Sequence, residues 1–328
     1  MKRGFVLLAL MPGCGLVHGA TKTGIRPILD QGIEAFAGEP DPELAQVALA
    51  GQLKLVDAVQ QRFPDDSGLK VRAAMARATY AFGFLQDEWQ AVRWSQPERT
   101  ARIAELERSM KDHFALSRSL ARQALGRDWS LSVGDEETAE LETLRQALEG
   151  LSNDQAEALF WLAFAWAGSV QIAGDAASAT QLPKIQAILA RTRTLDEDVF
   201  FEMGPDLLEG GLKGFRAPAL GGDPEGARQA LHRAAERGRN LLPRAYILEY
   251  VLAQTGDEEG FRREAQFILD AAIGPRPLFD RLAKRRTCRL WAQMDRFFLV
   301  DPPPIPAACA AHRGPIPYRS PPVFGPAS

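Results

Sequence analysis

The first candidate for chemistry in this sequence is a glycine-rich turn. Gly221, Gly222 and Asp223 precede a helical pattern, and the N-terminus of a helix offers free N–H groups to a phosphate. Asp223 would itself accept those N–H groups and would repel an anion. No Lys or Ser/Thr follows, as it does in a phosphate-binding loop. These residues therefore predict a structural turn.

A metal site and a catalytic centre have weaker support. Cys309 and His312 have the spacing of metal ligands, but no second pair completes a site, so we attribute the spacing to chance. The sequence contains no recognisable nucleophile, zinc-protease or cofactor motif. We therefore expect no catalytic residue, no metal and no cofactor, and a protein that is not an enzyme.

Five cations form a basic stretch on the last helical pattern: Arg281, Lys284, Arg285, Arg286 and Arg289. We expect these residues to form a solvated helix face, because cations are favoured near the C-terminal end of a helix. The alternative is a surface that docks an acidic partner or lipid headgroups. His113 and His232 have charged neighbours and are expected on the surface.

Aromatic side chains are dense on one helical pattern, which carries Phe160, Trp161, Phe164 and Trp166. The favoured interpretation is a central core helix, and the alternative is that one face lines an apolar cavity. Phe200, Phe201, Phe215, Tyr246 and Tyr250 could contribute from neighbouring helices. The candidate ligand-channel residues are Trp161, Phe164, Trp166, Phe201, Phe215 and Tyr246.

A phrase that recurs at a spacing of 34 predicts the architecture. Residues 222–228 read GDPEGAR, and residues 256–262 read GDEEGFR. Each copy places Asp at a helix N-cap, and 34 residues is the period of the tetratricopeptide repeat, a two-helix unit that stacks into a solenoid. Because the composition favours helix almost everywhere, we expect an all-α, tetratricopeptide-like solenoid with a closing C-terminal helix.

Apolar periodicity and helix start signals place the helices. The predicted ranges are 41–63, 66–93, 98–125, 134–149, 153–172, 179–195, 198–215, 223–238, 242–255, 257–273 and a closing helix over 282–299. The first range carries two apolar stripes, one with Leu44, Val47, Gly51 and Leu55 and the other with Leu49, Leu53 and Val56. A helix that is apolar on two sides is expected to lie between two neighbours.

The two ends of the chain differ from this body. Residues 1–20 are typical of an export signal. Either the signal is cleaved near residues 19–20, or a lipobox directs the attachment of lipid to Cys14. No later segment is expected to be long enough to span a membrane. Residues 21–300 are expected to form the helical domain, and the Pro-rich residues 301–328 predict a disordered tail.

Cys288 and Cys309 either form a disulfide or stay free thiols. With a net charge of −3, no basic field indicates nucleic acid.

An ordered set of motifs resembles the T component of TRAP-type (tripartite ATP-independent periplasmic) transporters, the TatT family. The set comprises residues 159–163 (LFWLA), residues 195–198 (LDED), Gly204-Pro205, and residues 215–223 (FRAPALGGD). The family typically has Gly-Gly-Pro where this chain has Met203 before Gly204, and two prolines where this chain has Ala217 and one Pro. The similarity covers roughly residues 25–299.

The resemblance implies a periplasmic helical protein with degenerate tetratricopeptide-like repeats. It implies a TRAP solute-binding protein as partner, an apolar channel for a hydrophobic ligand, and a homo-oligomer, with a trimer as one order. Gly204, Pro205, Gly221, Gly222 and Asp223 are its structural motif residues. The alternative function is a generic repeat adaptor of envelope assembly that binds proteins or peptides in a polar groove.

Overall fold

The computed structural model describes residues 27–301 and 303–312, and it is helical with no strand in these ranges. The helices are 27–37 (α1), Pro42–Arg62 (α2), Ser67–Tyr80 (α3), Gln86–Ser95 (α4), Thr100–Leu125 (α5), Arg127–Val133 (α6), Leu141–Glu149 (α7), Ala156–Ala173 (α8), Ala176–Ala179 (α9), Leu182–Leu195 (α10), Gly204–Gly214 (α11), Pro224–Gly238 (α12), Leu242–Ile247 (α13), Ala253–Thr255 (α14), Glu258–Asp270 (α15), Pro277–Trp291 (α16) and Met294–Phe297 (α17). The predicted all-α class is confirmed.

The two copies of the repeated phrase have the same local geometry. Asp223 accepts a hydrogen bond from the Gly226 N–H at 2.9 Å, and Asp257 accepts one from the Gly260 N–H at 2.9 Å. Each carboxylate satisfies an amide that the first turn of a helix leaves without a partner. The predicted N-caps are therefore confirmed.

Two predicted helices begin later than the sequence pattern indicates. The helix expected from residue 134 begins at Leu141, because Asp135 accepts the Glu137 N–H and starts a turn instead. The helix expected from residue 198 begins at Gly204, after a left-handed turn over Phe200, Phe201 and Glu202.

Many of the helices from α2 to α16 pack against the next helix in sequence, as α2 does on α3, α4 on α5 and α11 on α12, around two hydrophobic cores. The first core centres on α5 and α8, and the second joins α2 to α12, α13, α15 and α16. Four partly buried aromatic residues pack against both cores, namely Tyr80, Phe82, Phe200 and Phe215. The boundary between the two cores therefore runs through aromatic side chains.

The closing helix does more than cover one end of a stack. Helix α16 packs against α2 as well as α13 and α15, and Arg289 forms an ion pair with Asp87 of α4 at 2.5 Å. In a linear solenoid each repeat contacts only its neighbours. The ends of this array therefore meet through α16, and the solenoid arrangement itself stays a prediction.

The basic stretch of α16 is not a solvated face, so that prediction is wrong. Arg285 and Arg286 are buried; Arg285 pairs with Asp87 at 3.1 Å, and Arg286 pairs with Glu249. Burial opposes the ionisation of Asp87, but Arg289 and Arg285 outweigh it and hold the pKa of that carboxyl well below its usual range. These guanidinium groups hold the fold together and leave little of the stretch free to dock a partner.

The start of the tail is packed, which corrects the expectation of disorder for residues 303–310. Cys309 is buried and forms a disulfide with Cys288 of α16, so the disulfide alternative is the one observed. The Trp291 indole N–H donates to the carbonyl of Pro304 at 3.2 Å. The sequence could not place this segment, because its Pro content indicates only that it is not a long helix.

Among the described residues, one helix has the length and composition of a membrane span, contrary to the sequence-based expectation. It covers Asn153–Ala173, and 61% of its apolar stretch is buried inside the fold. A core helix of a soluble protein can have the same length and composition. We assign it as the predicted core helix, which packs against α5 and α10.

Candidate functional site

Two apolar cavities lie beside the aromatic boundary between the cores. The first, here called the tyrosine cavity, has a volume of about 50 Å³ and is lined by α8, α11 and the segments around α13. The second, here called the amino-terminal cavity, has a volume of about 230 Å³ and lies among α1, α2, α3 and the turn before α11. A dry engineered cavity of about 150 Å³ binds benzene, so only the second has room for a small organic ligand.

Two π-helical turns contribute to the lining of the tyrosine cavity. Ala81–Leu85 joins α3 to α4, and Leu248–Leu252 joins α13 to α14. Phe82 of the first turn stacks on Tyr246 with ring centroids 5.4 Å apart, and Tyr246 stacks on Tyr250 at the same separation. Single π turns inside α-helices are frequent at functional sites. Two of them facing one cavity mark it as a candidate site.

The polar side chains in the lining of the tyrosine cavity are uncharged: Gln171, Tyr246 and Tyr250. The Gln171 amide donates to the Tyr250 hydroxyl at 2.9 Å, and the Arg286 guanidinium lies 4.4 Å above the Tyr246 ring. Burial raises the pKa of Tyr250 to about 12, with Glu249 adding to it, and holds the pKa of Tyr246 above its usual range. Both phenols therefore stay protonated at neutral pH.

The amino-terminal cavity is lined mainly by aliphatic and aromatic side chains. Its apolar lining comprises Ile28, Leu29, Ile33 and Phe36 of α1, Leu49, Leu55 and Val56 of α2, Met75 and Ala76 of α3, and Phe200 and Phe201. Gln52, Arg72 and Thr79 are its polar side chains. This composition suits an apolar ligand with few polar anchors.

The one cation in that lining already has anionic partners. Arg72 donates to Asp30 at 2.6 Å and to both oxygens of Glu157 at 2.5 Å. Since two carboxylates offset one guanidinium, this wall offers no unpaired positive charge to an anionic ligand. The cavity therefore favours an uncharged molecule or the apolar part of a larger one.

An aromatic cluster separates the two cavities. The rings of Phe160 and Trp161 contact Phe164 of the tyrosine cavity, at 5.7 and 5.5 Å between centroids. The same two rings contact Phe200 of the amino-terminal cavity, at 6.1 and 5.1 Å. The Trp161 indole N–H is buried and has no hydrogen-bond partner.

The structure distributes the six candidate channel residues over several places. Phe164, Phe215 and Tyr246 line the tyrosine cavity, and Phe201 lines the amino-terminal cavity. Trp161 lies in the aromatic cluster between them. Trp166 is buried beneath the Arg118 guanidinium, 4.2 Å from its ring centroid, and lines neither cavity. In the described part of the chain these residues thus fall on two cavities and on the aromatic cluster between them, and the channel implied by the resemblance stays a prediction.

The structural motif residues make turns that side chains would block. Gly221 has a φ of +83°, and a Cβ on Gly222 would lie 1.9 Å from the Arg216 carbonyl oxygen. Asp223 caps α12, so the donors that a phosphate would need are occupied. Gly204 and Pro205 begin α11, and a Cβ on Gly204 would lie 2.6 Å from the Val199 carbonyl oxygen and 2.8 Å from the Phe160 ring. This turn thereby sets the aromatic cluster in place.

Sequence reasoning missed most of the amino-terminal cavity. Its lining from α1 to α3 includes Ile28, Ile33, Phe36 and Met75, whose periodicity is that of ordinary core residues. Cys309 is in the disulfide, so it offers no thiolate to a metal. Within 27–301 and 303–312, no group of three or more His, Cys, Asp and Glu residues could hold a metal ion.

The chain matches a family model over residues 38–298, described as the TRAP transporter T-component. No curated protein matches it. The matched range includes α2 to α16 and the aromatic cluster, while the α1 wall of the amino-terminal cavity lies before it.

Proposed function

This chain belongs to the TRAP transporter T-component family, whose members are periplasmic accessory proteins of TRAP transporters, and we propose that it docks the solute-binding protein and holds a hydrophobic ligand. The observation that carries the proposal is the family match over most of the helical body. Transport energy then comes from the ion-coupled membrane subunits, and this chain contributes recognition.

We assign the ligand to the amino-terminal cavity. Its volume of about 230 Å³ and its apolar lining suit a small hydrophobic molecule, whereas the 50 Å³ tyrosine cavity holds at most a water or two. A polar, charged groove would favour the alternative of an assembly adaptor that binds peptides. An open groove of about 580 Å³ between α7 and α10, with Arg145, Glu149 and Arg191 in its lining, is of that kind. The apolar lining of the amino-terminal cavity supports the binding of a small hydrophobic ligand.

Export of the chain to the periplasm completes the proposal. The signal-like residues 1–20 and the lipobox at Cys14 lie outside the described residues. The buried Cys288–Cys309 disulfide supports an oxidising compartment, because thiols stay reduced in the cytosol. Lipid attachment at Cys14 would anchor the helical domain at a membrane surface.

Self-association through α2 is part of the proposal. Leu49, Leu53 and Val56 are buried in the core, but the second apolar stripe is exposed: Leu44 by 53%, Val47 by 71% and Leu55 by 59%. Within one chain α2 packs against α3 and α16, and these contacts leave much of this stripe uncovered. A second copy would cover it.

The pattern of the stripe favours an antiparallel contact between two α2 helices. The stripe has large residues at both ends and Ala48 and Gly51 at the centre. The order of large and small side chains is therefore nearly the same in both chain directions, as a two-fold interface requires. Glu43 and Lys54 are eleven residues apart, which is about three turns, so they lie on one edge of the helix. Antiparallel packing brings Lys54 of each copy toward Glu43 of the other, whose carboxylate also pairs with Arg285 of its own chain at 3.5 Å. This contact predicts a dimer rather than a trimer.

A titration tests the docking part of the proposal. Purified chain lacking residues 1–20 would be mixed with a purified TRAP solute-binding protein from the same organism, and heats of binding would be recorded. Saturable binding is expected, with an ABC-type solute-binding protein as the negative control. Equal binding to both proteins, or to neither, would contradict the proposal.

A further inference from the structure

Three consecutive residues other than glycine hold left-handed backbone angles beside the cavities. Phe200, Phe201 and Glu202 have φ values of 57°, 58° and 62°. L-residues rarely adopt this region, because Cβ crowds the following carbonyl oxygen, and a run of three is costly. Such a turn persists only when its surroundings over-determine it, and turns of this kind cluster at functional sites.

Arg276 and the backbone hold the turn in this conformation. The Arg276 guanidinium donates to the Phe201 carbonyl at 3.2 Å and to the Gly238 carbonyl at 2.7 Å, and it lies 4.8 Å from the Phe201 ring centroid. The Gly204 N–H donates to the Val199 carbonyl at 3.1 Å and closes the turn from the other side. The side chains of Phe200 and Phe201 are thereby fixed in direction.

The turn places Phe200 at the inner end of the amino-terminal cavity. Its ring contacts Phe160 and Trp161, which in turn contact Phe164 in the wall of the tyrosine cavity. Phe200 also packs against both hydrophobic cores. If α11 continued as a helix toward residue 198, the Phe200 ring would point in another direction. The strained turn therefore determines the shape of the cavity at this end.

We infer that Phe200 is a specificity-determining residue that closes the inner end of the amino-terminal cavity and limits the length of the ligand. The inference rests on the proposed binding of a hydrophobic ligand there. The ligand class is an uncharged apolar molecule, for which an alkyl chain is the simplest probe, since Arg72 is already paired with Asp30 and Glu157. Without the Phe200 ring, the cavity would extend toward the aromatic cluster and the tyrosine cavity.

The test uses a series of straight-chain 1-alkanols titrated calorimetrically into the chain lacking residues 1–20. Each further methylene that is buried raises affinity about fourfold, so affinity rises with length until the chain meets the end of the cavity. For Phe200→Gly, the rise is expected to continue for about two to four carbons beyond the wild-type limit. Glycine adopts φ values near 57° freely, so this variant removes the ring while it relaxes the backbone.

Two further variants make the result interpretable. Phe200→Ala lacks the ring but keeps the backbone cost, so it should show the same longer limit. Phe297→Ala removes a partly buried ring that lines neither cavity, and it should keep the wild-type limit. An unchanged limit in both folded Phe200 variants would overturn the inference. If neither the wild type nor any variant bound an alkanol, the proposed ligand cavity itself would be wrong.

Discussion

At the scale of single residues, burial changes the pKa of a histidine that the sequence places on the surface. His113 was expected on the surface, but its ring packs edge-on against Tyr80 with centroids 5.1 Å apart. Burial, followed by the charge of Arg77, lowers the pKa of His113 to about 4, against smaller opposing effects of Asp112 and Asp57. The neutral imidazole is therefore the folded form.

This residue predicts a pH dependence of stability. The folded-state pKa of about 4 lies below the unfolded value of about 6.5, so the unfolded chain binds more protons between these values. The stabilisation is fully present above pH 6.5 and is lost as the pH falls toward 4, by up to about 1.4 kcal/mol per pH unit. Urea unfolding of the wild type and of His113→Phe would be compared across this range. Identical slopes in the two proteins would contradict the assignment.

Glycine packing in α11 gives a second residue-scale prediction. Gly204→Ala should lower the free energy of unfolding by about 1 to 3 kcal/mol, because the added methyl meets the Val199 carbonyl and the Phe160 ring. Gly211 lies on the same helix with nothing within 4 Å of a Cβ, so Gly211→Ala should stabilise by about 0.4 to 1 kcal/mol. Chemical denaturation measures both. Equal effects of the two substitutions would show that the close contact is not there.

At the scale of elements, the N-termini of helices could be predicted from the sequence, and the irregular turns could not. The Asp caps of α12 and α15 follow from the repeated phrase, because an N-cap is a local interaction. The left-handed turn over Phe200–Glu202 is invisible in the sequence, since its φ values are imposed by Arg276, far along the chain. The same holds for the tail, whose packing depends on a disulfide that two cysteines alone leave undecided.

The disulfide predicts that the tail segment stabilises the body. Replacing Cys288 and Cys309 together by Ser should lower the free energy of unfolding by about 3 kcal/mol, since the bond closes a loop with a sequence separation of 21. Urea unfolding with and without reductant tests this, with the double variant as the control that reductant should not affect. Reactive thiols at both positions in the native, oxidised protein would contradict it.

Helix α2 predicts the oligomeric state. Val47→Asp should convert a dimer into a monomer in light-scattering measurements, because it places a charge in the exposed apolar stripe. Leu220→Asp, at an equally exposed apolar position away from α2, should leave the dimer intact. Lys54→Glu should weaken the dimer, and it leaves the Glu43–Arg285 pair within each chain in place. A wild-type monomer, or a trimer insensitive to Val47→Asp, would contradict the α2 contact.

At the scale of the whole molecule, the helical class and the family follow from the sequence, and the arrangement of the site does not. The aromatic cluster on α8 was correctly placed in the core, because an all-round apolar helix must be buried. Its division of the interior into two cavities depends on residues from α1 to α3 and from α13 that meet only in three dimensions. The ion pairs of α16 with α4 likewise join parts of the chain about 200 residues apart.

The most direct test of the central claim is affinity purification of the tagged full chain from native envelopes in mild detergent, followed by mass spectrometry. A tagged unrelated periplasmic protein is the control. If the chain is an accessory subunit of a TRAP transporter, its solute-binding protein or the TRAP membrane subunits should be enriched over that control. Enrichment of outer-membrane assembly factors, with no TRAP component, would contradict the account and favour the adaptor function.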